Sequence, residues 1–597
     1  MKLHLITTAD ERTWKLDSSV LFLGEWCRLY DRKIAWDKMD AEVAEPFALE
    51  TDKKFKEITY VQTLTSELLI ELAAALNSFH DTNHSLRYWN ILLGHWLGRY
   101  VNVCFNRYFT IKQALKNYKI TSTTIIDSTG YSLATTDSTN FIWSSNNDLW
   151  NNILYGRVLE HMGCKDVELD LVHIKNKENF FKQDTSISTI QQIIKPIGRT
   201  IKAFGLNIFA RLAKDSDAFI INSYLPKWEE IKLQLALWQC PQFWQSPALK
   251  TVAIDTEMRR KFIVSSTNHS GFEKFVRDLL PDLIPACYLE GYVELGKQVE
   301  TLQWPSHPKF IFTSNNFDMD EIFKAWVGLK VEQGVPYFTG AHGNYAPYPS
   351  QANQPELVSC DNFFCWGSAN GNDKHIPAFV FKVANRPSKT KPNGGLLLIQ
   401  LHAPHLLSLD DQYSKFDVYQ EQQFRFVEAL PEEIKQELTV RLHGAWRSLS
   451  WSDDKRWSDR MPSVHLETGE APIQKLYAKS RLVVHSYDST GILESLTSNV
   501  PTLCFWDGGL DHLLPRDKPY YELLRGAGIL ADSPEQAALF VTQYWDDIDG
   551  WWKSEQVQSA RRVFCEQYAR NEKNPIRTMK QLLTTAVLNQ YNQRNNT

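Results

Sequence analysis

The chain reads in two hydrophobic patterns. Short apolar runs bounded by polar turn residues, "KLHLITT" (2–8) and "VLFLGEW" (20–26), predict buried strands. "TLTSELLIELAAALNSF" (63–79) repeats its apolar residues every three or four positions behind a Thr/Ser start and predicts an amphipathic helix. "LRYWNILLGHWLGRYVNVCFNRY" (86–108) predicts a second helix, apolar and aromatic nearly all round, and therefore deep inside the first domain. Residues 170–250 read as mostly helical, most clearly at "SYLPKWEEIKLQLALWQ".

The pattern then changes. "PKFIFTSNNFDMDEIFKAWVGLKVEQGVPYFTGAHG" (308–343) runs strand, turn, helix, Gly turn, strand, which is a βαβ unit with its two strands parallel. "KVANRPSKTKPNGG" (382–395), with four Lys/Arg, two Pro and two Gly, marks a domain boundary before the apolar "LLLIQL" (396–401). Beyond it strands such as "TVRLH", "RLVVH" and "PTLCFW" alternate with helices, which predicts a doubly wound α/β domain. The expected organisation is an N-terminal Rossmann-like domain at 1–385 with helical insertions at about 60–250, a second Rossmann-like domain at 395–552, and a C-terminal helix within 553–597.

A chain of 597 residues exceeds one core and agrees with that division. With 43% hydrophobic and 23% charged residues it is an ordinary globular protein, and a net charge of -5 gives no general attraction to nucleic acid. Twenty Trp fit core filling, or stacking on sugar rings. Nine singly scattered Cys without zinc spacing predict reduced thiols in a cytoplasmic protein. The N-terminus lacks signal-peptide features and no window offers a transmembrane span, while contact with the inner face of a membrane stays open.

The stretch "RLVVHSYDSTGILESLTSNVPTLCFWD" (481–507) places His485, Ser486, Ser489 and Thr490 where a strand hands over to a helix. Ligands of open α/β sheets sit at that carboxyl edge, and a helix start offers amide donors and a positive dipole end to an anion. Glu494, one turn on, suits a ribose diol. The competing reading is a capping Ser489 or Thr490 with Glu494 as dipole partner. His342 in "TGAHGNYAPYPS" (339–350) follows a strand and suits general-base or phosphate-contact work, or a structural role. His402, and Arg441 in "VRLHGAW", end further strands; Arg suits a diphosphate, with a solvated or capping role as the alternative. There is no GxxxxGK[ST] loop, no GxGxxG after the first strand, no GxSxG elbow and no metal-holding acidic pair, so metal dependence is not predicted.

The segments "FLGEWC", "YWNILLGHWL", "GAHGNYAPY", "DNFFCWGS", the 481–507 stretch and the tail at 519–568 resemble, in order, a family of transferases encoded in bacterial O-antigen and surface-polysaccharide gene clusters. A wider similarity is to GT-B glycosyltransferases and capsule-type transferases, with two Rossmann-like domains facing across a cleft. That resemblance implies a nucleotide sugar held in the second domain by Ser486, Ser489, Thr490 and Glu494, and a C-terminal helix crossing back to the first. His342-Gly343 resembles the His-Gly pair implicated in catalysis in polymer glycerophosphotransferases. The implied activity is metal-independent glycosyl transfer without a cofactor, from a nucleotide-activated donor (a CMP-activated keto sugar acid among them) to a glycan or lipid-linked glycan. Arg441 or His402 would offset leaving-group charge, and His342, Glu25 or Asp31 would act as base; a capped or salt-bridged Glu25 is the alternative. Rival readings are a CDP-polyol phosphotransferase and a non-catalytic glycan-binding or scaffold protein.

Overall fold

A computed structural model describes residues 2–595 apart from 48–50, 129–132, 174–212, 345–347, 352, 387–388, 402, 404–408, 410–414, 450 and 507. It contains three parallel sheets. The first joins β1 (Leu3–Ile6), β2 (Val20–Phe22), β3 (Ala41–Val43), β4 (Ile120–Ile126) and β5 (Glu168–Val172) in the order β3-β2-β1-β4-β5. Between β3 and β4 run α1 (Thr51–His80) and α2 (Leu86–Asn117), the latter opened by Ser85, whose hydroxyl accepts from the Tyr88 amide at 3.1 Å. The second half of that sheet is crossed by α3 (Asp148–Met162).

The second sheet joins β6 (Phe219–Ile221), β7 (Ile311–Thr313), β8 (Tyr337–Gly340), β9 (Asn362–Cys365) and β10 (His375–Pro377) in simple sequential order. Helix α4 (Lys227–Ala236) follows β6, and α5 (Glu321–Glu332) joins β7 to β8 as the expected βαβ crossover. Helix α2 lies between α1 and α5, one from each of the first two units, which is why it is apolar nearly all round.

The third sheet holds β11 (Gly395–Ile399), β12 (Leu438–Arg441), β13 (His465–Glu467), β14 (Ser480–His485), β15 (Thr502–Phe505) and β16 (Leu530–Ala531) in the order β13-β12-β11-β14-β15-β16. This is the doubly wound order, and its direction of winding reverses between β11 and β14. Its helices include α6 (Phe416–Glu428), α7 (Thr490–Thr497) and α8 (Lys518–Gly526). The chain closes with α9 (Glu555–Tyr568), packed on α7 and α8, and α10 (Pro575–Asn595), packed on α4 of the second unit. Between them, the Ser368 amide donates to the Gln567 carbonyl at 2.8 Å, the Arg570 amide to Trp366 at 2.7 Å and the Val380 amide to Arg570 at 3.0 Å.

The α/β class with parallel sheets is as expected. Two expectations are corrected. Residues 1–385 hold two five-stranded sheets rather than one sheet with helical insertions. Within 170–250, Glu168–Val172 and Phe219–Ile221 are strands on either side of residues 174–212, which lie outside the described part; among the described residues of this stretch the helical reading holds at α4 alone. A three-residue buried run such as "FII" has no period by which to tell strand from helix.

Candidate active site

At the winding reversal of the third sheet, Ile399 of β11 pairs with His485 of β14. The Ser486 hydroxyl donates to the Ile399 carbonyl at 2.9 Å and lies 2.9 Å from the Tyr419 hydroxyl, which in turn accepts from the Leu401 amide at 2.6 Å. Ser486 is therefore a buried fastener between the two strand ends, not an open donor. His485 is buried beneath the start of α7. A Cβ at Gly491 would lie 2.8 Å from its Cε1, so glycine lets the helix rest on the ring. Its Nε2 lies 3.3 Å from the Ser495 hydroxyl and its Nδ1 has no partner among the described residues. Burial pushes this imidazole down to about 3, so it is neutral and supports the helix from below. Direct donor contact by His485 and Ser486 is corrected accordingly.

Ser489 occupies the N-cap position of α7 in extended conformation, yet its side chain makes no capping bond and turns toward Tyr487. The helix thus begins with amides that no side chain among the described residues has claimed, contrary to the capping alternative. Facing this start is the carboxyl edge of the second sheet. A Cβ on Gly343 would lie 2.9 Å from the Thr490 hydroxyl, so the loop after β8 approaches α7 where it has no side chain. Glu494 pairs at 3.0 Å with Lys382, whose ammonium also lies 4.9 Å from the centre of the Tyr224 ring. From the same loop, the Asn344 amide donates to Tyr521 at 3.4 Å and Tyr348 stacks on His512 at 5.9 Å. His512 is bonded at 3.0 Å to Asp488, two residues before Thr490. Thr490, Glu494, His342 and Gly343 therefore meet at one interface.

His342 lies between the rings of Tyr224 and Phe317, with centroids 6.0 and 5.8 Å away. Burial holds its imidazole below the ordinary value; the Glu356 and Asp318 carboxylates oppose that and Lys382 assists. Behind Phe317, His95 stacks at 5.4 Å and places Nε2 3.2 Å from Glu356 and Nδ1 3.7 Å from Asp318; Arg99 binds Asp318 at 2.6 Å. Burial alone would raise both acids. His95, with His342, instead lowers Glu356, and Arg99 with His95 holds Asp318 well below the usual carboxylate range. A neutral imidazole above two fixed carboxylates can accept a proton and be stabilised once charged.

Comparison with known proteins adds the family. Residues 3–583 match the model of the LIC12162 family transferase. The chain belongs to that family. It is thereby a transferase, in keeping with the resemblance carried by its motifs. No curated protein matches it. Among solved structures, UDP-GlcNAc 2-epimerase from Neisseria meningitidis bound to UDP-GlcNAc is 13% identical over 59% of this chain and 98% of that one, with a TM-score of 0.31. MurG of Acinetobacter baumannii is 10% identical over 62% and 99%, at 0.29, and the wall teichoic acid polymerase TagF 11% over 68% and 100%, at 0.34.

Arg441 stands at a neighbouring strand end of the same sheet, and the other candidates of this LIC12162 family member lie apart from that interface or are bound elsewhere. Arg441 ends β12 3.5 Å from Glu467, which also accepts from the Gly469 and Ala471 amides, and its Nη1 is buried with no hydrogen-bond partner among the described residues. Glu25 follows β2, bonded to Arg28 and close to Asp417 of the third unit; burial raises it, with Asp417 adding to the rise. This join between the first and third units continues in Tyr30, whose hydroxyl donates to Asp459 at 3.1 Å and whose ring lies 4.7 Å under Arg456. Glu25 is thus the salt-bridged alternative. Asp31 is exposed on the adjoining turn, with no bond to aim it among the described residues, and is set aside as base. His402 lies outside the described residues.

The first sheet also reverses, between β1 and β4, but its crevice is filled. Asn152 of α3 reaches in to bond the Thr7 hydroxyl, the Thr124 carbonyl and the Ile126 amide at 3.0, 3.1 and 2.8 Å, and Asp148 takes the Ala9 amide at 3.2 Å. That leaves the carboxyl edge of the third sheet as the candidate. Sequence reading missed Lys382, Glu356, Asp318 and Gln400. Gln400 directly follows β11, is buried, and leaves both ends of its amide without a partner among the described residues. Its one sequence signal is a polar residue interrupting the apolar "LLLIQL".

Proposed function

We propose that the protein transfers a sugar from a nucleotide-activated donor to a hydroxyl of a surface-polysaccharide acceptor, free or lipid-linked, at the interface of the second and third units. The observation that carries this reading is the apposition of the uncapped start of α7 at Thr490 to Gly343 and the neutral His342. The donor's phosphate would dock on the first amides of α7 and the Thr490 hydroxyl. Glu494 would exchange Lys382 for the ribose diol, and the Arg441 guanidinium would reach the charge that develops on the leaving nucleotide. The acceptor hydroxyl gives its proton to His342 as its oxygen bonds to the anomeric carbon; the carbon–oxygen bond to phosphate breaks and the nucleotide leaves with the electron pair. Fixed donors replace a metal ion in this scheme, so turnover should survive EDTA, and no cofactor is involved. Nine free thiols suit a chain working in the cytoplasm.

Thermal shift against nucleotides and nucleotide sugars tests the reading, with CMP-activated keto sugar acids first, because the resemblance to capsule-type transferases points to them. Ligand at a hundred times Kd stabilises by about 2.7 kcal/mol. Thr490→Val with Glu494→Ala should abolish the shift. A shift with glycan alone and none with any nucleotide would mean a binding module instead of an enzyme.

A further inference from the structure

Helix α4 presents an apolar stripe to solvent. Trp228 is 74% exposed, Leu235, two turns on and on the same face, 56%, and Trp238, just past the helix end, 87%. Trp238 also holds a φ of +62°, the left-handed region that favours glycine. A bulky side chain kept in that conformation gains nothing from the interior when it lies almost wholly outside, so its contribution is external.

The exposed charges of α4 and of the helix packed on it have one sign. The carboxylates of α4, Glu229 and Glu230, are turned inward, Glu229 onto Lys232 and Asn385 and Glu230 onto Ser223. Lys227 and Lys232 remain exposed. The helix packed against α4 is α10, whose sequence "PIRTMKQLLTTAVLNQYNQRN" carries Arg577, Lys580 and Arg594 and no acidic residue. Leu588 and Tyr591 are exposed on it. Tryptophan side chains settle at the headgroup level of a bilayer, and lysine and arginine beside them are drawn to anionic lipid. A protein partner would be expected to meet both signs of charge on these helices. We infer that the α4–α10 face is a docking surface for an anionic lipid bilayer, reached through Trp228, Leu235 and Trp238 and held by the cations of both helices. This stands on the surface alone and does not depend on the glycosyl-transfer reading.

The test is flotation of the full chain with vesicles of phosphatidylglycerol and phosphatidylcholine in equal parts, and with phosphatidylcholine alone. The wild type should float with the anionic vesicles, roughly tenfold more weakly with the neutral ones. Trp238→Gly suits the left-handed backbone, so its Tm should equal or exceed the wild type while its partition falls; Trp228→Ala should act the same way. Lys227→Glu with Arg577→Glu should erase the preference for anionic lipid. Failure of the wild type to float, or undiminished flotation of Trp238→Gly, overturns the proposal. So does a dimer that Trp228→Ala dissolves in the absence of lipid, which would make a second copy of the chain the occupant.

Discussion

Two imidazoles near the Thr490 helix start are kept neutral by burial, with opposite uses. His342 has carboxylates behind it and the interface in front. His342→Ala should lower kcat by roughly 10²–10⁴-fold, the usual contribution of a positioned base, and leave nucleotide affinity near normal; isothermal titration beside steady-state kinetics separates the two. Loss of both would make it structural. Because its pKa lies below the ordinary imidazole value, the acid limb of kcat/KM should fall below pH 6.5. His485 has no such outlet. The unfolded chain binds a proton there below about pH 6.5 whereas the folded one resists until about 3, so stability falls as pH drops through that window. The slope is on the order of 1.4 kcal/mol per pH unit from this site. His485→Gln, compared with wild type by thermal melts between pH 7 and 5, should remove that share of the slope. At this scale Thr490, Glu494 and His342 were legible in the chain, because strand, small polar residues and helix stand adjacent. Lys382, Glu356 and Asp318 were not, since each finds its partner through the fold: Lys382 reaches Glu494 across the domain boundary, and Glu356 and Asp318 meet at His95.

Elements were legible where length or period marked them. The 308–343 crossover and the strands of the third sheet have clear borders, whereas β6 is three residues and β4, "ITSTTII", hides its apolar content behind hydroxyls. Missing them merged two sheets into one. The turn after β9 carries its own prediction. A Cβ at Gly367 would run into the Gln567 carbonyl, a backbone atom held by the neighbouring bonds to Ser368 and Trp366. Gly367→Ala should destabilise by about 1–3 kcal/mol, as overpacking does, read from urea melts. Gly371→Ala, with open space around its Cβ but a φ of +76°, pays only the conformational penalty and is the control.

For the whole molecule, the first unit braces the third at Glu25–Asp417 and Tyr30–Asp459, and the second and third units meet at Thr490 and Gly343. Helix α10 belongs by sequence to the third unit and by contact to the second. Ending the chain after Asn574 should leave nucleotide binding by the third unit intact and lower turnover, because the packing of α10 on α4 that helps to hold the second unit in place would be lost; paired binding and activity measurements check it. Equal loss of both would mean the third unit itself depends on α10.

The chain passes between the second and third units twice, outward ahead of Gly395 and back at Gln567–Arg570, where three backbone hydrogen bonds fasten it to the turns after β9 and β10. The two crossings define a line. A widening of the gap at Thr490 that keeps the bonds of the return crossing should be a swing about that line, as a gate turns on its posts, rather than a sliding apart. Spin labels set on either side of the line would record distances that rise on one side as they shrink on the other.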